Sequence, residues 1–186
     1  MIKRTLFTMP VPKKLDEIVR LPLFKTLDPL TLRNHWLNQF SLNDRVISGV
    51  LSRSEWSTVR DNSLACPMFI VPVKREDGSS FNMVSQFQDG KHCLLTYLEQ
   101  YRSDPSKAPP YMALSIYDEL VSSKEVALLR ADIIAADITK PVGNRIVKYL
   151  REFYADPGKF EWVKAFNCRP REFDYSSLVR QYPEYF

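Results

Sequence analysis

Met68-Phe69-Ile70-Val71-Pro72-Val73, Glu76-Asp77-Gly78-Ser79, Phe81-Asn82-Met83-Val84-Ser85-Gln86-Phe87, Asp89-Gly90 and Cys93-Leu94-Leu95-Thr96-Tyr97-Leu98 follow one another almost without a gap. The first run is apolar throughout, the second alternates apolar with polar, and the third returns after a turn. Alternation with period two is the mark of a half-buried strand. Asp-Gly pairs tolerate the positive φ that tight hairpins demand. The stretch therefore predicts three antiparallel strands in hairpin succession.

Outward from this meander, Met112, Leu114 and Ile116 alternate as a further strand. Val126–Arg130 is a fifth, apolar enough to lie centrally. Residues 102–110 read as a loop, and Phe160, Trp162 and Phe166 as a last strand. Val46–Leu51 reads as a short strand or an extended link.

Helices are predicted around the strands. Leu15, Ile18 and Val19 have helical spacing, with Pro22 as a stop. Asp28-Pro29 supplies an N-cap and a first-turn proline, ahead of Leu32, Trp36 and Phe40. Ser52-Arg53-Ser54-Glu55 has capping-box form, with Trp56 and Val59 on the buried side. Pro141 opens a helix whose Val142, Ile146, Tyr149, Leu150 and Phe153 share a face, and Arg169-Pro170 opens the last one. The expected fold is α+β: an antiparallel β-sheet meander with N-terminal helices and two C-terminal helices packed on it, the helices on one face.

Composition narrows the chemistry. Of 186 residues, 45% are apolar, enough for a core, and no apolar run approaches the length of a membrane span. Only 5 glycines occur and no Gly-rich phosphate loop is present. The 26 Lys and Arg exceed the 22 Asp and Glu by four, and Lys3, Arg4, Lys13 and Lys14 account for that excess. The chain therefore divides into a basic arm, residues 1–14, and a charge-balanced α+β domain, residues 15–186. The arm, with Thr5 and Thr8, reads equally as a mitochondrial targeting segment or a solvated basic tail.

Cys66, Cys93 and Cys168 are widely spaced in apolar surroundings and form no CxxC, so buried small hydrophobes are expected and no metal is. His35 and His92 stand in no framed catalytic motif. The pairs Asp16-Glu17, Glu76-Asp77 and Asp118-Glu119 are adjacent along the chain and read as turn and helix-end charges. No enzyme, cofactor or small-molecule substrate is expected.

Several segments, in order, carry a family resemblance. They are His35-Trp36 through Phe40, then Ser54-Glu55-Trp56, then Cys66-Pro67-Met68-Phe69 with Pro72 and Lys74-Arg75-Glu76-Asp77-Gly78. Phe81 through Phe87 with His92 follows, and then Phe166-Asn167-Cys168-Arg169-Pro170-Arg171-Glu172-Phe173-Asp174-Tyr175. From about Leu15 to Leu178 the chain resembles the mitochondrial ATP synthase assembly chaperones that hold the free catalytic β subunit. The resemblance implies a stoichiometric, ATP-independent chaperone of the mitochondrial matrix, without a cofactor, shielding the α-facing surface of β. A second reading makes the same fold a permanent structural subunit of the mitochondrial ribosome or of ATP synthase, its basic arm contacting RNA or protein. Candidate partner contacts are Lys3, Arg4, Lys13, Lys14, Arg169, Glu172, Tyr185 and Phe186. For Arg169 and Glu172 a structural role at the last helix is an equal expectation.

Overall fold

The computed structural model describes residues 11–185, so Lys3, Arg4 and Phe186 lie outside the described residues. Leu15–Glu17 forms one 3-10 turn, with the Lys14 N–H donating to Glu17 Oε2 at 2.7 Å. Helix α1 (Leu21–Thr26) has Pro22 inside its first turn, so this proline opens a helix where a stop was expected. A first-turn N–H has no intrahelical partner, and proline gives up nothing by lacking it. Helix α2 (Pro29–Gln39) begins as predicted, with Asp28 Oδ1 accepting from the N–H groups of Leu30 and Thr31 at 3.0 Å each.

Strand β1 (Val46–Ser52) leads into helix α3 (Arg53–Ala65). Ser52 Oγ caps α3 by accepting from the Glu55 N–H at 3.2 Å. The Glu55 carboxylate does not complete the box; it pairs with Arg151 at 2.8 Å instead. Strands β2 (Met68–Lys74), β3 (Ser80–Gln88) and β4 (His92–Tyr97) are the predicted meander. Asp89 (φ 51°) and Gly90 (φ 71°) both adopt the left-handed conformation that the tight hairpin turn requires. Helix α4 (Leu98–Ser103), strand β5 (Pro110–Tyr117), the short helix α5 (Val121–Lys124) and strand β6 (Val126–Ile133) follow.

Helix α6 (Lys140–Ala155) presents the predicted apolar face. The expected strand through Phe160, Trp162 and Phe166 is a helix, α7 (Pro157–Cys168). Asp156 Oδ1 accepts from the Lys159 N–H at 2.9 Å and Pro157 fits the first turn. Phe160 and Val163, three apart, are the buried pair, and Lys164 falls outside. The last helix, α8 (Tyr175–Gln181), starts at the Asp174 cap, later than Arg169-Pro170 suggested. Pro183–Tyr185 closes the described chain as a 3-10 turn.

The six strands pair antiparallel in the order β1-β6-β5-β4-β3-β2. The fifth predicted strand, β6, is interior, because β1 adds to it with Val46 opposite Asp132 and Ser52 opposite Val126. The helices take both faces of the sheet. One face packs Phe69, Met83, Leu95, Met112 and Leu129 against α3, α6, α7 and α8. The other carries a smaller core of Leu15, Leu32, Trp36 and Phe40 against Val46, Tyr117 and Leu128. Trp36 is fully buried there and its Nε1–H donates to the Leu129 carbonyl at 3.0 Å. Close approach of α6 to the sheet depends on Gly143, where a Cβ would sit 2.6 Å from Ile47 Cδ1.

Candidate partner-binding surfaces

The two edges of the sheet are treated differently. Along β2, alternate residues turn their backbone groups away from β3, and side chains meet them. Asn167 accepts from the Met68 N–H at 3.1 Å and donates to the Met68 carbonyl at 2.6 Å, reproducing the pairing of a neighbouring strand. Tyr149 OH donates to the Ile70 carbonyl at 3.1 Å, Pro72 has no N–H to offer, and Arg145 donates to the Lys74 carbonyl at 2.8 Å. A strand edge left open templates further pairing; side chains cover much of this one, and Ile70 N–H, Pro72 C=O and Lys74 N–H meet no partner among the described residues. Burial pushes the Tyr149 phenol well above its ordinary pKa, so it stays protonated and able to donate.

The N-terminal helices present apolar surface outward. Leu23, Leu30, Leu37 and Leu42 are 57, 68, 42 and 98% exposed. Leu23 also lines an apolar groove of about 480 Å³ between α1 and α2, with Phe24, Leu27 and His35. Leu30 and Leu37 are two helical turns apart on α2, on the side away from the buried Leu32 and Trp36. The groove with Leu23 runs along the His35 side of α2, and Leu30 and Leu37 lie on another side of the same helix, so they offer two separate apolar patches.

The predicted contacts do not form one site. Lys13 and Lys14 are exposed and line a shallow cavity of about 310 Å³ with Lys91, His92, Asp118 and Glu119. Arg169 pairs with Glu161 at 3.3 Å and Glu172 at 3.4 Å, a local network across the turn after α7. Tyr185 packs edge-on against Tyr149 with centroids 5.0 Å apart, and its hydroxyl bonds Glu152 and accepts from Lys159 Nζ at 2.9 Å. Burial raises the Glu152 pKa, but the hydrogen bonds from Lys159 and Tyr185 outweigh it and the net direction is down. The leucine surface was missed by sequence reading. Its signal was the second pair on α2, Leu30 and Leu37, beyond what the core stripe needs.

Catalytic geometry is not assembled around either histidine. His35 is exposed on α2. His92 Nδ1 lies 3.2 Å from Ser115 Oγ, but its Nε2 is 3.9 Å from Asp89 Oδ2, and Asp89 Oδ1 is used by the Lys91 and His92 N–H groups of the turn. The Asp89 carboxylate is thus beyond hydrogen-bond reach of the ring, whose close side-chain partner is the Ser115 hydroxyl. Among the described residues no cluster of His, Cys, Asp and Glu could hold a metal ion, and no helix is long and apolar enough to cross a membrane.

The thiols differ from the uniform burial expected. Cys66 and Cys93 are buried, Cys168 is exposed, and Cys66 Sγ lies 4.0 Å from Cys168 Sγ. Burial, then the contact with Cys168, pushes the Cys66 pKa up to about 11, and burial raises Cys93 further. Thiolate is the reactive form, so native protein treated with iodoacetamide near neutral pH is expected to alkylate at Cys168 first. Peptide mass spectrometry over time reads this; equal rates at all three cysteines would contradict it.

Six antiparallel strands with helices on both faces, and apolar side chains exposed on α1 and α2, define an α+β protein. The family is shown by comparison: the family model described as "ATP11 protein" matches residues 6–179, and the chain belongs to that family. Proteins named "ATP synthase mitochondrial F1 complex assembly factor 1" are similar to it. The mouse (Mus musculus) protein is 25% identical over 171 residues, which is 91% of this chain and 52% of that protein. The zebrafish (Danio rerio) protein is 23% identical, covering 91% of this chain and 56% of that one. For the human (Homo sapiens) protein the figures are 25%, 91% and 51%. The chain thus spans about half the length of these curated relatives. The relatives are named as assembly factors.

Proposed function

We propose that this protein is an assembly chaperone of the mitochondrial ATP synthase F1 complex, binding the unassembled β subunit in the matrix and shielding its α-facing surface. The observation that carries the reading is the family match over residues 6–179, across nearly the whole chain. The physical logic is mass action. An unassembled subunit exposes apolar interface and aggregates, and a binder of that interface lowers the free concentration until the proper neighbour replaces it. No nucleotide step is needed, since exchange of one interface for a larger one supplies the direction. The exposed leucines of α1 and α2 are the part of this chain suited to such a surface. Arg169, Glu172 and Tyr185 lie apart from these leucines, engaged in local networks, and serve the C-terminal half of the fold.

The test uses isolated F1 α and β subunits diluted from denaturant with and without the purified chain. A soluble one-to-one complex with β, dissolved on adding α, is expected. Retention of α alone, or no effect on the aggregation of either subunit, would overturn the reading.

A further inference from the structure

The second sheet edge, β1, is more sparsely covered than β2. Cross-strand hydrogen bonding fixes its orientation: the Ile133 N–H donates to the Arg45 carbonyl at 2.8 Å, and the Arg53 N–H to the Glu125 carbonyl at 3.0 Å. Odd-numbered residues of β1 therefore face β6, and Val46, Ser48 and Val50 turn their backbone groups outward. Val46 N–H is used in the preceding turn, donating to Asn43 at 3.3 Å, and the Val50 carbonyl accepts from Arg151 Nη2 at 3.3 Å. Ser48 N–H, Ser48 C=O and Val50 N–H meet no partner among the described residues.

These open groups form the floor of a channel. On the α6 side is a cavity of about 400 Å³ lined by Ser48, Gly49, Asn144, Val147, Lys148 and Arg151. A Cβ at Gly49 would meet Arg151 and Leu129 at 3.6 Å, ordinary van der Waals contact. On the opposite side stands α2, tied to the edge by Ser48 Oγ donating to the Leu37 carbonyl at 3.3 Å. The Leu37 side chain is half-exposed there, on the same side of α2 as Leu30. Charge specifies the α6 wall. Lys148 is 70% exposed, and its nearest acid, Glu152 at 3.7 Å, is already engaged with Lys159 and Tyr185. Arg151, by contrast, is matched by Glu55 at 2.8 Å and only lends its second nitrogen to Val50.

We propose that β1 receives one extended segment of the client subunit as a seventh strand, with apolar side chains toward Leu37 and acidic ones toward Lys148. The inference rests on the chaperone reading and adds the surface and its recognition chemistry. Main-chain hydrogen bonds would supply affinity that tolerates sequence, and the two walls would supply register. Arg151 Nη2 is shared between Glu55 and the Val50 carbonyl in the free chain, and keeps Glu55 when an incoming N–H takes its place on that carbonyl.

Amide hydrogen exchange with purified β subunit, and separately with α, is the test. Ser48 and Val50 amides are expected to exchange fast in the free chain and to slow at least tenfold in the complex. Ser48→Pro removes the outward N–H at a position where an edge strand tolerates proline, and is expected to weaken binding about tenfold, the worth of roughly one net hydrogen bond with its clash. Ser48→Ala keeps the N–H and should bind normally, which separates loss of the hydroxyl from loss of the edge. Should Ser48→Pro unfold the chain, the exchange data still decide. Complex formation with both amides unprotected would overturn the edge inference and leave the chaperone reading standing. Protection by α in place of β would keep the edge and change the client. Protection arising from a dimer of this chain, seen as doubled mass without either subunit, would overturn the proposal. No complex with either subunit would overturn both readings.

Discussion

Replacing Trp36 by alanine is expected to cost about 3–5 kcal/mol, because a large fully buried side chain is lost and a cavity remains. The indole packs edge-on against Phe40 and Tyr117, with centroids 5.3 and 6.1 Å away, and holds the Leu129 carbonyl. Truncation also removes that hydrogen bond, leaving the carbonyl its ladder partner at Gly49 alone. The smaller core around it involves α2, β1 and the ends of β5 and β6, so the damage should be regional. Denaturant titration should show the loss, and hydrogen exchange should place it in residues 29–50. Client binding should fall in proportion, because Leu30, Leu37 and the β1 edge share that region. A Trp36→Ala protein with unchanged stability would contradict the packing described here.

Phe69→Ala is expected to cost a similar amount, about 3–5 kcal/mol, with a different distribution. Phe69 is fully buried and its ring meets Tyr149, Phe153, Phe166 and Phe173 at centroid distances of 5.9, 5.3, 5.8 and 6.3 Å. One side chain thereby joins β2 to α6, α7 and the segment before α8. Small proteins are stable by only about 5–15 kcal/mol, so either loss is a large share of the total. Phe69→Ala should release α7, α8 and the C-terminal turn, and re-expose the β2 edge that Asn167 and Tyr149 cover. Greater aggregation from that edge, measured by light scattering, distinguishes it from Trp36→Ala. Equal aggregation of the two variants would count against the covered-edge argument.

The contrast between these two cores marks what the sequence could and could not disclose. The meander was legible because its pairings are local: a turn at Asp77-Gly78, another at Asp89-Gly90, and alternation between them. Helix starts at Asp28 and Ser52 were legible because a cap is a short-range hydrogen bond. The role of β1 was not, since Val46–Ser52 pairs with residues some eighty positions away, and no local signal names a partner at that distance. Helix α7 was misread because Phe160, Trp162 and Phe166 satisfy a period of two as readily as one of 3.6. The deciding feature was Asp156-Pro157, which serves as turn and helix start at once. Helices on both faces were hidden for a related reason. Leu32, Trp36 and Phe40 announce a buried stripe but not the side of the sheet that buries it.

Family membership was carried by segments whose structural work is now visible. Asn167 in the Phe166-Asn167-Cys168 stretch covers part of the β2 edge, and Phe173 packs on Phe69 and Phe166. Those motifs maintain the fold, which explains why they revealed the family and left the contact surface unassigned. The surface proposed here uses exposed leucines and an open strand edge, features that depend on three-dimensional placement more than on residue type.

The most direct test of the chaperone account is depletion of this protein from cells that make it, followed by fractionation of their mitochondria. Assembled F1 is expected to fall, with the β subunit moving to the insoluble fraction while its synthesis continues. Normal F1 content with soluble β, after complete loss of this protein, would contradict the account.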